Sequence, residues 1–224
     1  MKKLLLVLAL SSSSLAFAAC EQMFPYGKPV VSGNFTELCR KGYAVIYNNE
    51  KKIPFVTYEL LTPQTIGRGQ SERTSFRVDL DINVKYRSTP KNYESTGGIY
   101  DRGHLANAQN AGDDEAMKDT MLMSNIVPQV NSFNRGSWKT LETHIAKDVR
   151  RGATYHVITG AITSNQTISN KVNVPRYLFK VIVDGKKTTT YLIPNEVNNR
   201  SYKDFQISYN DLVKMLGVDL LPNR

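Results

Sequence analysis

The chain has 224 residues, 29 Lys plus Arg against 20 Asp plus Glu, two cysteines and a sequence pI near 9.5. With 41% hydrophobic residues and 22% charged ones it can bury a core, which excludes a wholly disordered chain. A basic balance of this kind points to anionic partners such as nucleic acid or envelope polymers without choosing among them.

The first segment, MKKLLLVLALSSSSLAFAAC, has Lys2 and Lys3 ahead of an apolar run and a small-x-small pattern at Ala16-Phe17-Ala18. It reads as a secretory signal peptide over residues 1–18, cut after Ala18 or Ala19, and its apolar run is too short for a membrane span. Removal of Lys2 and Lys3 leaves 27 basic residues against 20 acidic, a net +7. The expectation is a periplasmic or secreted chain with a single domain over 19–224 and no membrane span. In an oxidising compartment Cys20 and Cys39 read as a disulfide. Two free thiols, or a lipidated Cys20, are the other readings.

Residues 42–60 alternate around a polar turn as a β-hairpin does, and 62–98 are richer in Pro, Gly, Ser and charge, so a long irregular excursion is expected. TMLMSNIVPQ (120–129) reads as a short strand ended by Pro128. The spacing of Trp138, Leu141, Ile145 and Val149 predicts a helix over 134–152, with Arg150 and Arg151 at its negative end and Gly152 after it. Three strand-like runs follow, the second and third joined by the turn DGKK, and NDLVKMLG (210–217) predicts a last amphipathic helix. The order is that of an α+β fold, a mainly antiparallel sheet with flanking helices.

YDRGHLANAQN (100–110) gathers an acid, an arginine and a histidine within four positions. On an uninterrupted helix Asn134, Trp138 and Glu142 share one stripe. A strand ending in His104, a returning strand near 121–127 and this helix then form a platform for one hydrated metal. Singly, Asn134 is an ordinary helix cap, Glu142 a solvated carboxylate and Asp101 a partner for Arg102. No His-Glu-x-x-His, Gly-x-Ser-x-Gly or phosphate-loop motif is present.

The ordered set DRGH (101–104), SNIVPQ (124–129) and N-x3-W-x3-E (134–142), with R-x-x-F-x-x-D (73–79), VPRYLFKVIV and LIPN, resembles the sugar-nonspecific DNA/RNA endonucleases of the ββα-metal group. The likeness runs from about residue 36 to the last helix. It implies a ββα-metal finger as the active site and hydrolysis of DNA and RNA through contacts to the phosphate backbone. His104 then corresponds to the general base, for which an imidazole of ordinary pKa about 6.5 is suited. Asn134 corresponds to the protein ligand of a hydrated Mg2+, with Mn2+ able to substitute, and Glu142 to a holder of its waters. Arg73 corresponds to a phosphate contact in the transition state. Arg102 and Asp101 support the strand end and the water shell, and Asn125 positions the loop or the scissile phosphate. Two positions depart from the pattern: Asn107 stands where relatives often have Pro, and Ala146 where a second arginine is frequent. The competing readings are a weak or inactive nucleic-acid-binding protein of the same fold, and an interaction protein of the envelope. Oligomeric state is left open.

Overall fold

The computed structural model describes residues 20–67 and 74–224. The signal-peptide segment and Arg73 lie outside the described residues.

Strands β1 (Phe35–Arg40), β2 (Tyr43–Asn48) and β3 (Ile53–Leu61) form a meander. The β2–β3 hairpin is the one expected at 42–60, and Lys52 takes a positive φ of 57° in its turn. Among the described residues between β3 and β4 the regular pieces are two short 3-10 turns, Val84–Tyr86 and Pro90–Thr96. A ribbon follows, made of β4 (Tyr100–His104) and β5 (Ile126–Val130), with the short helix α1 (Asp114–Thr120) between them. Helix α2 (Lys139–Arg150) leads to β6 (Tyr155–Ile162), a small hairpin of β7 (Thr167–Ile168) and β8 (Val172–Asn173), then β9 (Tyr177–Val183), β10 (Thr188–Pro194) and β11 (Gln206–Ile207). Helix α3 (Tyr209–Leu216) starts on a Ser208 cap and stops at Gly217, whose left-handed φ of 64° suits glycine.

The main sheet has seven strands in the order β1-β2-β3-β6-β9-β10-β11, every neighbour antiparallel. Alternation sends Leu61, Val157, Ala161 and Leu178 to one face, where Trp138, Leu141, Ile145, Ala146 and Val149 of the α2 segment cover them. It sends Val56, Ile158, Phe179 and Val181 to the other face, under Leu212 of α3 and the N-terminal arm. Each of the larger buried side chains contributes roughly 1.5–3 kcal/mol by leaving water. The α+β expectation therefore holds, with helices on both faces of an antiparallel sheet.

Cys20 and Cys39 are disulfide-bonded, tying the arm to β1 across a separation of 19 residues. Replacing Cys39 by Ser should lower stability by roughly 2 to 4 kcal/mol, as expected for a bridge closing a loop of this size. The check is the unfolding midpoint of the variant in denaturant beside that of the parent.

Two expectations are corrected. Pro128 does not end its strand; it lies inside β5, opposite Arg102. A proline is tolerated because the ribbon has only two strands and its N–H is not required. The helix does not begin at Asn134: α geometry starts over Asn131–Phe133, Asn134–Trp138 is a π turn, and α geometry resumes at Lys139. Gly136, at φ −100° and ψ −112°, breaks the helical path there. Asn134 therefore precedes the regular helix that carries Glu142. Trp138 is wholly buried against Phe133, at 5.5 Å between ring centroids, while Asn134 is only half-buried.

Candidate active site

β4 pairs with β5 so that Asp101 faces Gln129 and His104 faces Ile126. Gly103 is required between them: a Cβ there would come within 2.2 Å of the Gln129 side chain, which is fully buried. The ribbon's far edge is held by a residue that sequence reasoning did not single out. Asn195, just past β10, accepts a hydrogen bond from the Val130 N–H at 2.8 Å and donates to the Pro128 carbonyl at 2.9 Å. Through it the ribbon is fixed to the main sheet.

Asp101 is the organiser of the ribbon's start. Its Oδ2 accepts from Asn134 Nδ2 at 2.9 Å and from Arg135 Nε at 2.9 Å, and its Oδ1 accepts from Arg135 Nη2 at 2.7 Å. Burial alone would raise the Asp101 carboxyl; the bonds from Arg135 and Asn134 outweigh it and hold it below the usual carboxylate range. Asp101 thus pairs with Arg135 and Asn134 rather than principally with Arg102. With Nδ2 committed to Asp101, the Asn134 amide is oriented and its Oδ1 is the acceptor directed away from that bond. Asn134 is within the helical path, at φ −57° and ψ −45°, and not an N-cap.

His104 stands at the other end of β4, three residues or about 10 Å of extended chain from Asp101. It shares a face with Arg102, and both pack on Phe76: the imidazole at 5.4 Å between ring centroids and the guanidinium carbon at 4.8 Å. Phe76 is the aromatic of the R-x-x-F-x-x-D stretch, and Asp79 of the same stretch is 4% exposed. Asp79 joins Arg40 of β1 at 2.6 Å and accepts a short hydrogen bond from Ser124. These contacts pin the segment that carries Phe76 beside the turn leading into β5.

Asn125 is fully buried and serves the loop. Its Nδ2 donates to the Ala106 and Thr120 carbonyls at 2.9 and 3.0 Å, its Oδ1 accepts from the Ala106 N–H at 2.8 Å, and its backbone carbonyl accepts from Leu105 at 3.0 Å. Of its two expected roles the structure assigns it the loop after His104, because every polar atom of its amide is spent there. Asn107 caps the next turn at φ −72°, a backbone angle that proline also takes, so its replacement of proline leaves the chain path available.

Glu142 is not a solvated carboxylate. Its side chain is 13% exposed and its Oε1 is 3.8 Å from Lys180 Nζ, itself 2% exposed. Burial pushes the Glu142 carboxyl up to about 7 against the pull of Lys180. Ala146, one turn on, is enclosed in the core. Of the two cations near it in sequence, Lys147 is exposed, and Arg150 donates to the carbonyls of Gly67 at 2.8 Å and Gln109 at 3.3 Å, bracing the loop after His104.

Among the described residues no group of three or more His, Cys, Asp or Glu side chains forms a metal cage. The group present is a single oriented amide oxygen in a polar, partly open corner. That donor is hard and neutral, the kind a Mg2+ that keeps most of its waters accepts.

The family model described as DNA/RNA non-specific endonuclease matches residues 21–224. The chain belongs to the DNA/RNA non-specific endonuclease family. It is 29% identical to the mitochondrial nuclease of Saccharomyces cerevisiae, over 88% of this chain and 68% of that protein. It is 28% identical to human mitochondrial endonuclease G, over 82% of this chain and 69% of that one. The nuclease of Nostoc sp. is 29% identical over 83% of this chain and 73% of its own length. A chain of the solved EndoG/EndoGI complex superposes with a TM-score of 0.76 at 24% identity, over 91% of each chain. That likeness carries the fold, an antiparallel sheet flanked by helices, beside which β4, β5 and the π-turn helix form a strand-strand-helix unit. Relatives in this family include mitochondrial nucleases, and no helix among the described residues is long and apolar enough to cross a membrane.

Proposed function

We propose that this chain is an exported endonuclease that hydrolyses internal phosphodiester bonds of DNA and RNA with Mg2+, for which Mn2+ can substitute. The observation that carries the reading is the Asp101–Asn134 bond, which fixes an amide oxygen at the start of the strand that ends in His104. On this reading the His104 imidazole takes the proton of the attacking water. Arg102, on the same face of Phe76, offers positive charge to the phosphate, and Arg73 makes the second phosphate contact. Asn134 holds the ion through Oδ1, Asp101 keeps that oxygen in place, and Glu142 holds one of the surrounding waters. When bound, the ion supplies charge neutralisation at the phosphate and the leaving 3′-oxygen. None of these groups reads a base edge, so cleavage has little sequence preference. Export follows from the first 18 residues and agrees with the Cys20–Cys39 disulfide. One observation, the enclosed Ala146 in place of a second arginine, favours a slower enzyme or a binding protein of the same fold.

The purified mature protein should convert circular plasmid to nicked, linear and then fragmented DNA, and degrade RNA, with Mg2+, and should stop on addition of EDTA. A plasmid left intact by micromolar protein would sink the enzyme reading in favour of the binding protein. Degradation confined to linear ends would refute internal cutting.

A further inference from the structure

A lysine in the middle of an apolar strand, YLFKVIV, is the least expected residue in the core. Lys180 is 1% exposed. Strand register puts it directly opposite Thr159 of β6, and its Nζ donates to Thr159 Oγ1 at 2.7 Å. The ammonium lies 4.8 Å from the Trp138 ring and 3.8 Å from Glu142 Oε1. On the same face Glu59 of β3, 3% exposed, is the other acid that interacts with it. Glu59 Oε1 in turn accepts from Asn110 Nδ2 at 3.0 Å, a residue of the loop after His104. One buried ammonium therefore lies between two buried carboxylates, one on the active-site helix and one tied to the loop that follows the general base.

The geometry points to Lys180 as the positioning residue of the active site: its ammonium draws in the Glu142 carboxyl on the inner face of the sheet, with Glu59 competing for the same charge. This rests on the endonuclease reading above for its effect on activity, though not for its electrostatics. Lys180 is too deeply enclosed to touch a phosphate, so it does not replace the second arginine missing at Ala146. What it can do is offset the desolvation of Glu142, which without a cation would favour the neutral acid. The groups that face the ammonium are Glu142 from α2, Trp138 from the π turn, Thr159 from β6 and Glu59 from β3. Burial lowers the lysine while both acids raise it, and both acids are themselves lifted to about 7 by burial. The charge on Glu59 also raises Glu142.

The test uses Lys180→Met, Lys180→Arg and Glu59→Gln in the full mature protein. Carboxyl carbon NMR of the metal-free protein follows Glu142, which Glu142→Gln assigns. Lys180→Met should move its titration to higher pH, and Glu59→Gln, which removes the competing acid, should move it to lower pH. Turnover on plasmid should fall about tenfold to a hundredfold in Lys180→Met, at little change in KM, as displaced catalytic groups do. Lys180→Arg should recover part of it. Glu59→Gln should cut at close to the parent rate at neutral pH, with its acid limb shifted down. Thermal unfolding is measured alongside. If Lys180→Met unfolds more readily yet keeps the Glu142 titration and the turnover, Lys180 is a structural ion pair and the proposal is overturned. Should Lys180→Met fail to fold, an unmoved Glu142 titration in Glu59→Gln overturns it equally. A parent that cuts nothing while the titrations shift as stated would instead refute the endonuclease reading.

Discussion

His104→Ala should lower the cleavage rate by about 10² to 10⁴, the usual worth of a positioned general base. The structure says why the loss should be specific. The imidazole rests on Phe76, which also carries Arg102, and that face is anchored through Asp79 to Arg40 and Ser124. Alanine therefore removes the base without releasing the arginine. The Asp101–Asn134 bond lies at the opposite end of β4, so calorimetric Mg2+ binding should be unchanged. Substrates with good leaving groups, or added imidazole, should recover part of the rate. A base must be neutral, so His104 protonation reduces the rate as pH falls. Glu142, lifted to about 7 by burial, also loses its charge as pH falls, which reduces the rate further. The acid limb of the parent is thus the product of two groups, and His104→Ala should retain a shallower limb near neutrality. A variant with parental rate, or one that no longer binds the metal, would remove His104 from the role of base.

How far the sequence reached depended on range. Local signals carried well: alternation placed the β2–β3 hairpin and the three late strands, and the last helix lies within one residue of the expected 210–217 at each end. DRGH was legible through the ordered set of motifs it belongs to, whereas the reason for Gly103, the close approach of Gln129 on the partner strand, was not. Failures came from tertiary context. Helical spacing of Trp138, Leu141, Ile145 and Val149 was right for the core but blind to the π turn, since Gly136 alone does not announce one. Pro128 read as a strand end because nothing local tells that its ribbon has only two strands. Glu142 read as solvated because its partner, Lys180, is far along the chain. A signal for that partner existed: Lys180 shares the inward phase of Leu178, and Glu59 that of Leu61. Charges at inward positions of two strands imply each other. Asn195 offered no comparable signal, for an asparagine after a strand is an ordinary turn residue.

Asn134→Ala should weaken the metal itself rather than the proton transfer. The amide oxygen is the one protein donor assigned to the ion, and its loss should lower Mg2+ affinity by at least the roughly 10- to 100-fold that even an indirect change at a metal site costs. High Mg2+ should then restore part of the rate, which it cannot do for His104→Ala. Asp101 supplies a graded comparison. Its carboxylate takes the Asn134 N–H at 2.9 Å and so decides which end of the amide faces the ion. In Asp101→Asn the acceptor is weaker and the amide can turn, so affinity should fall about 10-fold or more although no donor to the metal is lost. Arg135 also bonds Asp101, through both carboxylate oxygens, but it holds the carboxylate and not the Asn134 amide. Arg135→Ala should therefore leave affinity close to parental, because Asn134 keeps its own bond. The order expected from calorimetry, with Mn2+ binding followed by electron paramagnetic resonance as a second readout, is Asn134→Ala weakest, Asp101→Asn intermediate and Arg135→Ala near the parent. Parental affinity in Asn134→Ala would mean that the ion is held elsewhere. Equal losses in Asp101→Asn and Arg135→Ala would mean that Asp101 acts through the arginine, and that the Asn134 bond is packing alone.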